Sequence, residues 1–253
     1  MSQPWEIYDA LLDGLPDDVV VRTAGQGPRW SRVLNSAGGV GTAWTMDVRS
    51  RPALSGDGPL DGRPLRDVGA LAKSWNLAEA SIGQAAINSW YSREQTAADN
   101  GFEPTGEGLT WRQVFDPYRE MIVGKRVAVI GHFPFAEAAL AGAGEYICLE
   151  RNLQPGDWPD SACEYVLPEC DLVFISSSSF VNKTAPRLIE LSRQAHTVLV
   201  GPSTPLNPVL LDYGVDTITG FVAARSLSDP ISLAEMVPAG DIGPGFRVHR
   251  HRA

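Results

Sequence analysis

The sequence of 253 residues predicts an α+β part followed by an α/β part. Helical and strand-like segments are mixed in the first part, whereas short, unalternating apolar runs separated by segments of helical length follow Lys125. Strands that are buried on both faces have such runs, so the second part is expected to be a parallel sheet with helices on both faces. The boundary is expected near residues 110–122, and we divide the chain into 1–110 and 111–253.

The first part begins with a predicted helix from Pro4 to Leu15, in which Ile7, Leu11 and Leu12 recur at helical spacing before the acidic turn "PDD". The segments "VVVRTA", "WSRVLNS" and "GTAWTMDV" are then predicted as strands, because glycine-rich turns separate them. We expect an antiparallel meander.

Two helices are predicted next, at Leu65–Trp75 and in "NLAEASIGQAAINSWYS". Asn76 is the expected N-cap of the second helix, and Glu79 occupies the reciprocal position of a capping box. The small side chains of this helix favour close packing against another backbone, although they would also admit a ligand. The polar stretch Arg93–Gly108 is predicted as a loop, and "WRQVFDPYREMIV" as a helix.

Five apolar runs, "RVAVIG", "EYICLE", "DLVFIS", "TVLVG" and "DTITGF", are predicted as the strands of the second part. Ligands of open parallel sheets bind beyond the carboxyl ends of the strands. The residues at these five ends are Gly131 to Pro134, Glu150, Ser176 to Asn182, Gly201 to Pro205, and Gly220 with Phe221. The tail "HRHRA", with His249 and His251, is expected to be solvated and frayed.

Composition excludes several classes of function. The net charge of -9 and the lack of a basic stripe argue against nucleic-acid binding. The N-terminus has no signal-peptide pattern, and no apolar run reaches the roughly 18 residues of a membrane span, so a cytoplasmic protein is expected. Cys148, Cys163 and Cys170 form no CxxC pair and are interpreted as buried thiols. HExxH, GxxxxGK[ST] and GxSxG are absent.

The first strand end departs from the glycine fingerprint of dinucleotide-binding folds. Glu150 lies 19 positions after Gly131, close to the spacing of a ribose-binding carboxylate, although a strand end at the surface explains it equally well. Pro134 removes one backbone N–H that a pyrophosphate would need, which disfavours NAD. His132 suits an acid, a base, a metal ligand or a structural role. Phe133 and its neighbours favour a planar or partly apolar ligand, but as single residues they also fit a core.

Hydroxyl groups follow the third and fourth strands. The serine run and Asn182 form a usable site for an anion or a polar ligand head, with helix capping as the competing interpretation. The prolines of "GPSTP" hold Ser203 and Thr204 in place, as a binding loop or a rigid turn requires.

The motifs "VAVIGHFPF", "LPECDLVFISSSSFVNKT", "VLVGPSTPLNP" and "GVDTITG", with "PLRDVGALAKSWNLAEASIGQAAINSW", resemble the heavy-metal chelation family over nearly the whole chain. The resemblance implies an enolase-N-terminal-like α+β domain before an atypical Rossmann-like domain, with a cleft between the two. The lining that it implies consists of His132, Phe133, Pro134, Glu150, Asn182, Ser203 and Thr204, together with Asn88 from the first domain.

The function implied is the binding or processing of a heavy metal, or of a metal-chelating small molecule, in that cleft. His132 and Glu150 are the expected ligands of a transition metal whose identity the sequence leaves open. Because thiolates are not clustered with them in the sequence, we favour a metal chelate held through its organic portion. The alternative is an enzyme with an adenosine-type cosubstrate, in which Glu150 binds ribose and His132 moves a proton. The expected partner is the small-molecule or metal ligand, and a homo-oligomer is compatible with this interpretation.

Overall fold

The computed structural model describes residues 3–56, 58–105, 111–236, 238 and 240–252. The helices are α1 (Glu6–Asp13), α2 (Leu65–Ala70), α3 (Leu77–Tyr91), α4 (Glu94–Asp99), α5 (Ala136–Ala139), α6 (Cys163–Val166), α7 (Ala185–Leu191), α8 (Val209–Asp212) and α9 (Pro230–Met236). The strands are β1 (Val21–Gln26), β2 (Trp30–Asn35), β3 (Val40–Trp44), β4 (Glu103–Pro104), β5 (Arg126–Ile130), β6 (Glu145–Glu150), β7 (Trp158–Pro159), β8 (Leu172–Ser176), β9 (His196–Val200), β10 (Thr217–Ala223) and β11 (Gly245–His251). Short 3₁₀ segments lie at Leu71–Lys73, Trp111–Tyr118, Asp160–Ala162, Leu167–Glu169, Ser177–Phe180 and Arg225–Leu227.

The first part is a three-stranded antiparallel sheet, β1-β2-β3, with α3 packed against it, so the predicted meander is confirmed. A Cβ at Gly41 would lie 1.9 Å from the carbonyl oxygen of Ala85, and one at Gly83 would lie 2.0 Å from the backbone nitrogen of Ala72. The small residues of this region therefore allow the close backbone packing that the sequence predicted.

The cap of α3 is only partly as predicted. Oδ1 of Asn76 accepts a hydrogen bond from the Glu79 N–H at 3.3 Å, which confirms the N-cap. The Glu79 carboxylate, however, accepts from the N–H groups of Leu54 and Ser55, at 2.9 and 2.6 Å, instead of turning back to Asn76. Glu79 thus fixes the loop that precedes α2, and the reciprocal half of the predicted capping box was wrong.

The large sheet has the strand order β4-β11-β10-β9-β8-β5-β6-β7. Strands β5, β6, β8, β9 and β10 are parallel, and their spatial order is the doubly wound order 2-1-3-4-5 when they are numbered along the chain. The predicted α/β fold is confirmed. The topological switch point lies between β5 and β8, because the chain leaves β5 toward β6 on one side and later returns on the other.

Two elements at the antiparallel edge correct the sequence predictions. The tail is not frayed, because β11 pairs with β10 from Thr217↔His251 to Ala223↔Gly245 and so satisfies its backbone groups. The stretch 93–108 is not simply a loop, since it contains α4 as well as β4, which pairs with β11; residues 106–108 lie outside the described part of the chain. The domain boundary near residues 110–122 stays a prediction. Strand β4 lies before that boundary in the sequence but pairs with β11 of the large sheet.

Three predicted elements have different bounds. The segment after residue 110 is a 3₁₀ segment that ends at Tyr118 and not a long helix, because Pro117 lacks the N–H that an α-helix needs there. The first helix ends at Asp13, before the acidic turn. Strand β10 runs on through Gly220 and Phe221, so these two residues lie inside the strand and not at its end.

One continuous apolar core joins the small sheet, its helices and one face of the large sheet. The Tyr8 hydroxyl of α1 reaches across this core and donates to the Phe180 carbonyl at 2.7 Å. Burial raises the pKa of Tyr8, which keeps this donor protonated. Among the described helices, none combines the length and the apolarity of a membrane span.

Candidate metal and ligand site

A cavity of about 860 Å³ lies beyond the carboxyl ends of the parallel strands. Its walls come from the small sheet on one side and from the loops after β5, β6, β8 and β9 on the other. The lining relevant to the chemistry consists of Trp30, Trp44, Thr45, Met46, Trp111, Gly131, His132, Phe133, Phe135, Glu150, Arg151, Asp160, Ser176 to Ser179, Asn182 and Gly201 to Ser203. The cavity therefore includes the switch point between β5 and β8, where doubly wound folds bind ligands.

Two glycines bring the strand-end loops together. Gly131 has φ +97°, and a Cβ there would lie 2.9 Å from the Ser176 Cβ. Gly201 has φ +128°, and a Cβ would lie 2.6 Å from the Ser177 Oγ. Other residues rarely adopt this backbone conformation, so both positions favour glycine. The close approach places the turn after β5 against the serine run after β8.

His132 is held by groups on two sides. Its backbone N–H donates to Oε2 of Glu150 at 2.9 Å, and its Nδ1 lies 3.1 Å from both carboxylate oxygens of Asp157. The side chain is 27% exposed, and its Nε2 has no hydrogen-bond partner within the described residues. In the metal-free chain Nδ1 donates to this carboxylate, and a metal ion bound at Nδ1 would replace that proton.

Asp157 and Cys148 lie behind the His132 ring. The Asp157 side chain is only 4% exposed, and its burial acts to raise its pKa. Hydrogen bonds from the Gln154 N–H, the Cys148 thiol and His132 outweigh this effect and hold the pKa of Asp157 below its usual range. Cys148 Sγ lies 3.9 Å from Nδ1 of His132. Burial, with the nearby Asp157 carboxylate, raises the pKa of Cys148 to about 12. In the metal-free chain this residue is therefore a thiol.

The three side chains fit a metal ion. Their nitrogen, sulfur and oxygen donors all lie within 4.8 Å of one another, the only such group of three or more among the described residues. Metal–sulfur bonds of about 2.3 Å and metal–nitrogen or –oxygen bonds of about 2.0–2.1 Å in a tetrahedron place sulfur about 3.6 Å and oxygen about 3.3 Å from nitrogen. The observed separations from Nδ1 are 3.9 and 3.1 Å. Small side-chain movements thus suffice, and the mixed donor set suits zinc and similar transition metals.

Sequence reasoning missed two of these three donors. Cys148 was interpreted only as a buried thiol, and it is buried. No sequence signal marks Cys148 as a ligand, because its approach to His132 follows from its pairing with Val129 in the neighbouring strand. Asp157 lies in the polar loop after β6, where nothing in the spacing distinguishes it from its acidic neighbours.

Glu150 lines the cavity, but its carboxylate is already used. Oε2 accepts from the His132 N–H, and Oε1 accepts from the N–H groups of Arg151 and Asn152, both at 2.8 Å. These bonds occupy three of the roughly four acceptor positions of a carboxylate. That Glu150 binds a metal or ribose stays a prediction. The observed hydrogen bonds of Glu150 hold the turns that follow β5 and β6.

Other predicted site residues divide between the cavity surface and its support. Phe133 lies on the surface and also packs against Phe115, with ring centroids 6.0 Å apart. Asn182 lies on the surface, and its Oδ1 accepts from the N–H and hydroxyl of Thr184 at 3.1 and 2.6 Å. Pro134 is exposed and is not among the lining residues.

Ser203, Thr204 and Asn88 make hydrogen bonds that support the cavity wall. Ser203 lines the cavity, and its Oγ accepts from the Trp44 N–H at 2.8 Å, which ties β3 to the loop after β9. The fully buried Thr204 donates to the Gly201 carbonyl at 2.7 Å. Asn88 is also fully buried and donates to the Thr42 carbonyl at 2.8 Å. The structure thus brings Ser203 to the cavity and places the other two in its support.

Comparison with known proteins identifies the family. The sequence profile DUF364, described as "Putative heavy-metal chelation", matches residues 113–246, which is more than half of the chain. The chain belongs to the DUF364 family. A second profile with the same description, DUF4213, matches residues 8–91 of this DUF364 chain. The resemblance inferred from the sequence is therefore confirmed.

Solved structures agree with the assignment. A DUF364-family protein of unknown function from Desulfitobacterium hafniense is 36% identical, with 98% of each chain covered and a TM-score of 0.85. Another, from Pyrococcus horikoshii, is 21% identical, with 98% of this chain and 99% of that chain covered and a TM-score of 0.80, which shows the shared fold. No curated protein matches this chain.

Proposed function

We propose that this DUF364-family protein binds a transition-metal ion through His132, Cys148 and Asp157, and takes up the metal together with a small chelating molecule. The observation that carries the proposal is the group of three mixed donors within 4.8 Å of one another, beside the cavity at the switch point. The family description supports a heavy metal as the cargo. A histidine nitrogen and a thiolate together favour borderline and soft ions such as zinc, cadmium and copper over magnesium or calcium.

The cavity favours a metal chelate over a bare ion. Its volume of about 860 Å³ is far larger than one hydrated ion needs. Pockets for small organic ligands commonly span about 300–1,000 Å³. Three protein ligands leave one position of a tetrahedral metal open, and a small molecule in the cleft between the two parts of the chain completes the coordination.

The adenosine-type alternative has less support. It needs Glu150 to accept hydrogen bonds from ribose hydroxyls, yet that carboxylate already accepts three backbone N–H groups. Calorimetric titration with S-adenosylmethionine, nicotinamide cofactors and nucleotides separates the two functions. We expect no binding heat from any of them.

The test is metal uptake by matched variants. Protein purified without chelators is examined by native mass spectrometry, and metal-free protein is then titrated with zinc and with cadmium. We expect one ion per chain, and a loss of affinity of at least tenfold in each of His132→Ala, Cys148→Ser and Asp157→Asn.

Cys170→Ser is the control, because Cys170 is a free cysteine with the same 5% exposure as Cys148 and lies outside the proposed site. It should take up metal like the unmodified protein. A wild-type chain that takes up neither ion, or a Cys148→Ser variant that binds as tightly as Cys170→Ser, contradicts the proposal.

A further inference from the structure

Aromatic rings dominate the walls of the cavity on both sides. Trp30 and Trp44 come from paired positions of β2 and β3, and their rings meet at right angles with centroids 5.2 Å apart. Trp111, Phe133 and Phe135 contribute rings from the opposite side. These faces present a broad apolar and polarisable surface to whatever occupies the cavity.

Trp44 is the ring most available to a ligand. It is 39% exposed, although large aromatic side chains generally bury most of their area. Its backbone is nevertheless fixed, because its N–H donates to the buried Ser203 hydroxyl at 2.8 Å. An exposed ring on a rigid strand provides stacking area with little ordering cost on binding.

The charged side chains that the structure describes in the lining offer no unpaired lysine or arginine to an anionic ligand. Within the part of the chain that the structure describes, the lining contains one arginine and no lysine. That arginine, Arg151, donates from its Nε to the Asp160 carboxylate at 2.8 Å. Glu150 adds a further negative charge. Among the described lining residues, a phosphorylated or polycarboxylate ligand would find no unpaired lysine or arginine, which disfavours nucleotides and citrate-like chelators.

The polar groups on the cavity floor are mostly neutral hydroxyls. Ser176 and Ser178 share a hydrogen bond of 2.9 Å, and the Ser179 hydroxyl is buried without a partner in the described residues. Hydroxyls of this kind donate to, or accept from, uncharged heteroatoms. Together with the rings, they suit a flat molecule that carries ring nitrogens.

We propose that the organic ligand of this cavity is a planar, conjugated nitrogen heterocycle without negative charge, which stacks on Trp44 and turns its donor nitrogens toward His132. The role of the nitrogens toward a metal rests on the proposed function, whereas stacking of the ring does not depend on a metal. The two ideas can therefore fail separately.

The experiment is calorimetric titration of metal-free full-length protein with three chelators, of which phenanthroline is uncharged, ethylenediamine is a cation at neutral pH and citrate is an anion. Phenanthroline supplies two ring nitrogens on a flat surface, ethylenediamine supplies two nitrogens without a ring, and citrate supplies carboxylates. We expect phenanthroline to bind at least tenfold more tightly than either of the others, since stacking on one aromatic side chain contributes about 1–3 kcal/mol.

Three tryptophan variants locate the binding. Trp44→Leu should weaken phenanthroline binding about tenfold, whereas Trp44→Phe, which keeps a ring, should remain within about threefold of the wild type. Trp75→Leu is the control, because Trp75 is 55% exposed and is not among the lining residues. It should bind normally.

Two results overturn the inference: citrate or ethylenediamine binding as tightly as phenanthroline, or equal phenanthroline affinity in Trp44→Leu and Trp75→Leu. Neither result bears on the metal ligands, because no metal is present. Failure of zinc and cadmium uptake would conversely remove the proposed function and leave the stacking result intact.

Discussion

Asn88 gives the sharpest test of how the fold supports the cavity. The sequence resemblance places it in the ligand site, yet the residue is fully buried and links three elements. Its Nδ2 donates to the Thr42 carbonyl at 2.8 Å, and its Oδ1 accepts from Gln84 Nε2 at 3.1 Å. Gln84 in turn donates to the Ser203 carbonyl at 3.2 Å, in the loop that lines the cavity.

Asn88→Ala removes both of these bonds and leaves their partners buried. A buried polar group that loses its partner costs about 1–3 kcal/mol, so we expect the free energy of unfolding to fall by about 2–4 kcal/mol. Urea denaturation followed by circular dichroism measures this change.

The matched control is Asn182→Ala. Asn182 lies on the cavity surface, and its bonds are local, to Thr184. In Asn182→Ala the free energy of unfolding should fall by about 1 kcal/mol or less. Ligand affinity should fall more in Asn182→Ala than in folded Asn88→Ala, because only Asn182 lies on the cavity surface. A stability change below about 0.5 kcal/mol in Asn88→Ala would refute the bridging role and return Asn88 to the ligand site.

Two further predictions concern stability. Gly83→Ala places a Cβ 2.0 Å from a backbone nitrogen and should lower the free energy of unfolding by about 3 kcal/mol or more. The control is Gly69→Ala, whose new Cβ would meet a side-chain methyl at 3.0 Å, and its stability should remain within about 1 kcal/mol of the wild type in the same denaturation assay. Equal losses in the two variants would contradict the packing argument. The N–H of Arg126 and the ammonium of Lys125 hold the pKa of Asp171 below its usual range. The wild type should therefore be more stable than Asp171→Asn at neutral pH, and this stability difference should disappear as the pH falls through the lowered pKa. A stability difference that persists in acid would contradict this role of the Asp171 carboxylate.

Much of the fold could be predicted because local patterns coincide with tertiary burial. The run "VAVI" is buried on both faces in β5, and Asn76 caps α3 as its position predicts. The strand-end rule predicted a common ligand site for His132, Asn182 and Ser203, and all three line one cavity. In each case the relevant partner is either close in the sequence or imposed by the parallel topology.

The remaining features depend on contacts that no local pattern encodes. Strand β11 contains polar residues that suggest an exposed tail, and only its pairing with β10 and β4 makes it a strand. Cys148 has the surroundings of a core residue in its own strand, and its approach to His132 follows from the register of β6 against β5. Asp157 reaches the site through a loop whose path the sequence does not specify. The donor set therefore became visible only in three dimensions.

Cobalt substitution tests the central claim most directly, because a Co²⁺–thiolate bond gives its own charge-transfer absorption in the near ultraviolet. Metal-free protein titrated with one equivalent of Co²⁺ should develop this band together with the visible absorption of a tetrahedral site. Both should persist in Cys170→Ser, and the thiolate band should disappear in Cys148→Ser. A thiolate band that survives in Cys148→Ser, or cobalt that binds without one in the wild type, would contradict coordination by His132, Cys148 and Asp157.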